Sequence, residues 1–259
     1  MDKRRHYIMV LDTETANTLV NDDGKMDMSD VLAYDMGWAI ADKEGNIYET
    51  ASFVNRDIFV YERDMMQSAY YHDKIPQYVE DIRAGRRKMA DLYEIRQAFL
   101  DTLGRWNSNT LAAYNAYFDA NGMNRTQSWC TKSKYRYFLP FDSGIEWWDI
   151  MKMANDVVCK MPTYKAWCIE NGYVQKNGAP RKTAEMVYRF ITGDTDFAES
   201  HTGLEDVLIE TAIMAYCFRQ HKTMRKNLWE NSKEFPKNTP FQIELLSSIK
   251  NQPMIRGAW

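Results

Sequence analysis

The segment Tyr-Ile-Met-Val-Leu-Asp-Thr-Glu-Thr, residues 7–15, joins a short apolar run directly to two acidic residues. Residues 7–11 are continuously apolar, which is typical of a central strand buried on both faces. Asp12 and Glu14 follow at the end of this predicted strand. Because side chains alternate along a strand, both carboxylates leave on one face, where they repel each other unless a cation lies between them. The segment therefore indicates either a divalent-metal site or a solvated strand end.

Two more strands and a helical block follow this segment in the chain. Residues 34–41 and 47–55 predict a hairpin across a turn at residues 42–46. The polar stretch 17–30 lies before the hairpin, and we interpret it as an inserted loop. From residue 56 to 106 the spacing becomes helical. Its clearest stripe consists of Leu92, Ile95, Phe99, Leu103 and Trp106.

The second half of the chain predicts short strands between helices. Residues 111–114 read as a strand that leads into a helix over 120–131, and residues 145–150 read as another strand. Helices are predicted from residue 151, over 163–170, over 182–191 and over 201–219. The last helix has an apolar stripe of Leu204, Val207, Leu208, Thr211, Ala212, Ala215 and Phe218. The order of elements predicts an α/β protein with a mixed sheet, an antiparallel edge and flanking helices.

Composition excludes several protein classes. The 259 residues are 45% hydrophobic and 27% charged, with 12 Gly and 7 Pro, which excludes a disordered or collagen-like chain. The four cysteines include no C-x-x-C pair, so we expect reduced thiols and neither a zinc knuckle nor a redox motif. The net charge of −3 supplies no general attraction to nucleic acid, so a polyanion would need a local basic patch or metal ions.

No targeting or membrane segment is expected. The basic start, residues 1–6, precedes an apolar stretch that is too short for a signal peptide. No apolar run approaches the roughly 18 residues that would span a bilayer. We therefore expect a cytoplasmic protein without membrane contacts.

Three further candidate site residues lie later in the chain. Asp119 closes the strand and loop at 111–119, at the edge of the sheet where open α/β folds bind ligands, but taken alone an Asp at a strand-to-helix junction more often caps the next helix. His201 and Asp206 lie five residues apart at the start of the last predicted helix, where both could reach one cleft. Taken alone, His201 could also be an ordinary surface histidine.

In chain order, the pattern Asp-x-Glu, then Asp, then His-x-x-x-x-Asp resembles the DEDDh (DnaQ-like) 3′→5′ exonucleases of the ribonuclease H-like superfamily. The matching segments are Val-Leu-Asp-Thr-Glu-Thr at 10–15, Tyr-Asn-Ala-Tyr-Phe-Asp at 114–119 and His-Thr-Gly-Leu-Glu-Asp at 201–206. The resemblance extends over about residues 7–220. It implies a mixed five-stranded sheet with helices on both faces and extra helical segments. We accordingly predict an exonuclease domain over 1–220 and a C-terminal extension over 221–259 that packs on the domain or binds a partner.

The resemblance also implies a role for each site residue. Asp12, Glu14, Asp119 and Asp206 would hold two divalent cations, Mg²⁺ or Mn²⁺, with Asp12 bridging them. His201 would be the general base that takes a proton from the attacking water. These five residues are the predicted catalytic set. Contacts to substrate are predicted for Thr13, Thr15 and Asn115.

The implied reaction is hydrolysis of phosphodiester bonds from the 3′ end of DNA, on single strands or frayed ends and in a proofreading role. The implied partners are a nucleic acid with a free 3′ end and a DNA polymerase or other replication protein. RNA or short oligonucleotides are the alternative substrates, because no motif reports on the 2′ position. A third hypothesis, an inactive nuclease fold that only binds, would require the loss of at least one ligand.

Three smaller features leave alternatives open. Arg83, Arg86, Arg87 and Lys88 form the densest basic cluster, which could follow a phosphate backbone or form a solvated helix face. Glu210, one helical turn after Asp206, could support the metal ligands or lie on the surface. Gly203 stands where many relatives have alanine, an exchange expected to cost little.

Overall fold

The computed structural model describes residues 2, 4–16, 19–20, 26–27, 31–67, 69, 71–140 and 143–230. One compact unit spans Met1–Leu228. The strands described are β1 (Ile8–Ala16), β2 (Leu19–Val20), β3 (Met26–Asp27), β4 (Leu32–Ala41), β5 (Ile47–Asn55), β6 (Lys88–Ala90), β7 (Thr110–Ala113) and β8 (Glu146–Asp149). Within these residues, six strands form a mixed sheet in the order β6-β5-β4-β1-β7-β8, and β2 pairs with β3. The predicted α/β class is confirmed.

The main sheet joins an antiparallel half to a parallel half at β1. Strand β1 is antiparallel to β4, which is antiparallel to β5. On its other side β1 is parallel to β7, and β7 is parallel to β8. Strand β1 therefore lies at the centre of the sheet, as its continuous apolar run predicts.

The sheet has one strand more than the five that the resemblance implies. The additional strand is β6, which pairs in parallel with the end of β5 at Phe53 to Asn55. Its three residues are Lys88, Met89 and Ala90, and the first is exposed. A strand this short has no apolar run of its own, so the sequence gives no signal for it.

Helices cover both faces of the main sheet. Those described are α1 (Arg56–Phe59), α2 (Arg63–Gln67), α3 (Ile75–Arg83), α4 (Leu92–Trp106), α5 (Ala116–Thr131), α6 (Ile150–Ala154), α7 (Pro162–Glu170), α8 (Ala184–Thr192) and α9 (Gly203–Arg219), with a 3₁₀ turn at His72–Lys74 and a π turn at Asn155–Cys159. Ile8 and Val10 of β1 pack in one core with Val207 and Ile213 of α9. On the opposite face, Trp38 of β4 packs edge-on against Phe99 of α4.

Strand β1 is longer than predicted and corrects the position of the first two acids. The apolar run ends at Leu11, yet β1 continues to Ala16 because β4 pairs with it along its whole length. Asp12 and Glu14 therefore lie inside the strand and not at its end. The register with β4 shifts between Glu14 and Thr15, and such bulges are common beside active sites.

Helix α5 begins four residues earlier than predicted, which corrects the position of Asp119. Its first residue is Ala116 and its N-cap is Asn115, whose φ of 67° lies in the left-handed region that asparagine tolerates. Asp119 is thus in the first turn of α5. It neither closes a strand nor caps the helix.

Two other predicted segments also differ from the structure. The polar stretch 17–30 contains the paired strands β2 and β3, although its predicted turn at 21–24 lies outside the described residues. In α9 the predicted apolar stripe is partly wrong, because Leu208 is exposed whereas Asp206 and Glu210 are buried. The helix inserts deeply between the sheet and α6–α8, so its buried surface is wider than one stripe.

The C-terminal part of the compact unit returns to the sheet. The carbonyl of Lys226 accepts from the N–H of Asp149, and the N–H of Leu228 donates to the carbonyl of Trp147. These contacts lie along β8, an outer strand of the sheet. The boundary at 220 stays a prediction, and residues 231–259 lie outside the described residues.

All four cysteines are free, as predicted. No helix in the described part of the chain is long and apolar enough to cross a membrane.

Candidate active site

The start of α9 lies directly against the backbone of β1 and β4. A Cβ atom on Gly203 would lie 2.9 Å from the amide nitrogen of Gly37 and 3.2 Å from the carbonyl oxygen of Asp12. A Cβ on Gly37 would lie 2.3 Å from the nitrogen of Leu204. This approach leaves no room for a methyl group at either position. The expectation that alanine would be tolerated at position 203 is therefore wrong for this chain.

This approach brings acids from distant parts of the chain to one place. Glu14 of β1, His201 just before α9 and Asp206 in its first turn each offer a ligand atom, and these atoms lie within 4.8 Å of one another. In the described part of the chain this is the one such group of histidine, cysteine and acidic side chains. The predicted convergence of the first and third motifs is thus seen in the structure.

Asp119 joins the site through Thr13. The backbone N–H and the hydroxyl of Thr13 both donate to Asp119 Oδ1, at 3.0 and 2.9 Å. Burial raises the pKa of Asp119 to about 7, and these two hydrogen bonds oppose the rise. Thr13 points away from Asp12 and Glu14, so its side chain fixes a metal-ligand candidate from the opposite face of β1.

The carboxylate of Asp12 is repelled by the other acids of the site. Its pKa is raised well above the usual value, first by burial and then by repulsion from Glu210 and Asp119. Burial and repulsion from Asp206 likewise raise the pKa of Glu14. Asp12 and Asp119 do not belong to the 4.8 Å group.

The pKa values of Asp206 and its neighbour Glu199 are also raised. Burial, followed by repulsion from Glu199, raises the pKa of Asp206 to about 8. The pKa of Glu199 rises to about 7, mainly through burial. So many buried and half-buried carboxylates in one place are destabilising at neutral pH unless a cation or protons compensate them.

His201 is held in an unusual backbone conformation. Its φ of 51° lies in the left-handed region that residues other than glycine rarely adopt, and such conformations concentrate at functional sites. Its imidazole stacks on the ring of Tyr71, with centroids 4.3 Å apart and planes 13° apart. Its Nδ1 lies 3.9 Å from Glu199 Oε2, and the ammonium of Lys74 donates to the carbonyl of Ser200. Burial, followed by repulsion from Lys74, lowers the pKa of His201.

A buried network of ion pairs and hydrogen bonds connects the start of α9 to β4. Asp35 of β4 is fully buried and accepts from Tyr78 Oη at 2.7 Å and from the backbone N–H of Gly203 at 2.9 Å. Arg87, whose side chain is 2% exposed, contacts Asp35 at 3.1 Å and Glu205 at 2.6 Å. It thereby joins β4 to α9.

The four residues of the predicted basic cluster differ in their exposure to solvent. Arg83, Arg86 and Lys88 are exposed, as a solvated face requires. Arg87 is buried and cannot follow a phosphate backbone. The sequence does not distinguish Arg87 from its neighbours, because its partners lie as far as 118 residues away in the chain.

The residues predicted to contact substrate occupy different surroundings. Thr15 and Thr13 lie near Gly122, where a Cβ would be 3.8 Å from Thr15 Cγ2 and 4.0 Å from Thr13 Oγ1. Both threonines are buried against α5. Asn115 is exposed at the N-cap of α5, and a substrate contact there stays a prediction.

Glu210 is the residue of this site whose role the sequence leaves open. It is 3% exposed, and its Oε2 has no hydrogen-bond partner within the described residues. A surface location is therefore wrong. Its position one helical turn after Asp206 is the only sequence signal that points to it.

Comparison with known proteins identifies the architecture. The nuclease domain of 3′hExo, described as a DEDDh family member bound to rAMP, superimposes with a TM-score of 0.54 at 12% identity, covering 88% of this chain and 98% of that one. This chain has the fold of a DEDDh nuclease domain. Exonuclease I of E. coli, in complex with a 5cy-dA13 oligonucleotide, gives a TM-score of 0.49 at 14% identity, and the match spans only 42% of its chain. No protein-family profile and no curated protein matches the sequence.

The comparison confirms the resemblance drawn from the three motifs at the level of the DEDDh fold. At 12% sequence identity the structural similarity supports the fold alone.

Proposed function

We propose that this protein is a divalent-metal-dependent 3′→5′ exonuclease that hydrolyses phosphodiester bonds at the 3′ end of DNA. The observation that carries the proposal is the approach of Glu14, His201 and Asp206 to within 4.8 Å of one another. Asp12 is half-buried and Asp119 is buried, and the two carboxylates repel each other. An inactive binding module would have no need to bring so many carboxylates together.

The donor set fits hard divalent cations. Carboxylate oxygens suit Mg²⁺ or Mn²⁺. Among the described residues, one cationic side chain, that of Lys74, acts on Glu14, Glu199 and Asp206. Asp12, Glu14, Asp119 and Asp206 would hold the two cations. The bound cations would activate water and neutralise the charge that grows on the leaving oxygen.

His201 is suited to act as the general base. Because burial lowers its pKa below the usual 6.5, the imidazole is neutral near pH 7 and can accept a proton from the attacking water. The stacked ring of Tyr71 orients the imidazole, and Glu199 faces its Nδ1. General-base catalysis of this kind contributes about 10²–10⁴-fold in rate, so His201→Ala should lose activity by that factor.

A degradation assay tests the proposal. Single-stranded DNA, duplex DNA and RNA, each labelled at the 5′ end, are incubated with Mg²⁺, Mn²⁺ or EDTA. We expect a ladder that shortens from the 3′ end of DNA with either metal and no cleavage in EDTA. Asp12→Asn should abolish cleavage, whereas the control Asp101→Asn, at an exposed position of α4, should leave it unchanged. Metal-independent cleavage, or full activity of Asp12→Asn, would contradict the metal assignment.

The same assay separates the alternatives. Preferential shortening of RNA or short oligonucleotides would favour the exoribonuclease, and binding without cleavage would favour the inactive module. The roles of a DNA polymerase or replication protein as partner, and of proofreading, stay proposals.

A further inference from the structure

Glu210 lies on the same face of α9 as the residues that contact the site. Gly203, Asp206, Val207 and Glu210 follow the spacing i, i+3, i+4 and i+7, which places them in one row along a helix. Gly203 touches the backbone of Asp12, and Asp206 belongs to the 4.8 Å group. Four residues of helix rise about 6 Å, so Glu210 lies one turn deeper than Asp206 along the same row.

The surroundings of Glu210 do not satisfy its carboxylate. The backbone N–H of Tyr114 donates to it, but Oε2 has no hydrogen-bond partner among the described residues. Its charged neighbours within the site, Asp119 and Asp206, are acids that repel it. A buried carboxylate oxygen without a donor is strongly unfavourable, because nothing replaces the water it gave up.

We propose that Glu210 is a fifth carboxylate of the metal centre, and that a divalent cation and its water of hydration supply the partner that Oε2 lacks. The inference rests on the proposed function, since it requires a cation beside Asp12 and Asp119. A purely structural role would need only the bond from Tyr114, which an uncharged glutamine oxygen would accept equally well.

Binding of Mn²⁺ to the metal-free protein tests this role without measuring activity. Isothermal titration calorimetry at pH 8 compares the wild type with Glu210→Gln, which keeps the shape and the acceptor for Tyr114. We expect the dissociation constant for Mn²⁺ to increase by about 10–100-fold, as for other residues that support metal ligands. The melting temperature without metal should rise, because the variant removes a buried charge from a repelling set. Glu170→Gln, exposed at the end of α7, is the matched control and should change neither quantity.

The outcomes distinguish this inference from the proposed function. If the wild type binds no Mn²⁺, both fail. If the wild type binds Mn²⁺ and Glu210→Gln binds it equally well, only the role of Glu210 is overturned. Weaker binding together with a lower melting temperature would also overturn it, because lost structure would explain both. Should the glutamine variant not fold, Glu210→Met, of similar length and without charge, gives the same comparison.

Discussion

Replacing Arg87 with methionine would show whether the buried ion network holds the start of α9 in place. The guanidinium contacts Asp35, Asp81 and Glu205 at 3.1, 3.2 and 2.6 Å. Methionine retains most of the apolar stem but no donor. Asp35, fully buried, then keeps its bonds from Tyr78 and Gly203 but has no cation beside it.

The expected loss of folding free energy follows from how deeply each ion pair of Arg87 is buried. Removing one partner of a buried ion pair costs about 3–5 kcal/mol, because the other charge stays buried and uncompensated. The Glu205 side chain is 48% exposed, so that pair adds at most about 1 kcal/mol. The total loss is therefore about 3–6 kcal/mol. A domain of this size loses roughly 2–4 °C of melting temperature per kcal/mol, so Arg87→Met should melt roughly 6–24 °C lower.

The loss of stability in Arg87→Met should become larger as pH rises. Burial raises the pKa of Asp35, and Arg87 opposes that rise. Without Arg87 the folded-state pKa of Asp35 rises further above its unfolded value, so the folded variant binds a proton more tightly than the unfolded chain. Its stability then falls as pH increases between the two pKa values. The melting-temperature difference between wild type and variant should therefore be larger at pH 8 than at pH 5.

Arg86→Met is the control for this experiment. Arg86 is the neighbouring arginine, its side chain is 62% exposed, and its pair with Asp81 should contribute at most about 1 kcal/mol. Thermal unfolding followed by circular dichroism measures both variants. Equal losses in the two variants, or a larger loss for Arg87→Met at pH 5, would refute the buried-pair reasoning. Adding Asp35→Asn to Arg87→Met should recover part of the loss, since it removes the uncompensated charge.

Three further predictions concern the site itself. Gly203→Ala should lower the free energy of unfolding by about 1–3 kcal/mol through its clash with Gly37, whereas Gly104→Ala, with open space around it in α4, should raise it by about 0.5–1 kcal/mol in chemical denaturation. Tyr71→Ala should lower turnover at least several-fold because it removes the ring that stacks on His201, whereas Tyr71→Phe keeps the ring and should lose less; equal turnover in both would remove this stacking from the site. The metal-free protein should melt at a lower temperature as pH rises from 5 to 8, because the folded-state pKa values of its buried acids are raised. Added Mn²⁺ should stabilise it more at pH 8, and a pH-independent melting temperature would contradict the repulsion.

The sequence predicts the parts of this protein whose signals are local. The apolar run at 7–11 predicts the central strand, and the motifs at 10–15 and 201–206 predict the approach of Glu14, His201 and Asp206 that the structure shows. The motif at 201–206 places His201 and Asp206 correctly, because a helix start fixes both over one turn. Side-chain alternation along β1 correctly predicts that Asp12 and Glu14 share a face.

Features that depend on distant partners could not be predicted. The extension of β1 through Asp12 to Ala16 comes from its hydrogen bonds to β4, which local hydropathy does not report. Burial of Arg87 depends on partners that tertiary folding brings to it. The same holds for Glu210, which the pattern of α9 does not separate from a surface residue.

The return of the chain to β8 has a consequence for how the molecule behaves in solution. An outer strand carries a row of backbone donors and acceptors, and when these are bare they recruit the strand of another molecule. Here Lys226 and Leu228 occupy two of those groups on Asp149 and Trp147. A variant shortened to residue 220 would keep every proposed metal ligand but would expose the backbone groups of β8 that Lys226 and Leu228 now bind. It should consequently self-associate more strongly than the longer chain, as measured by analytical ultracentrifugation of both at the same concentration.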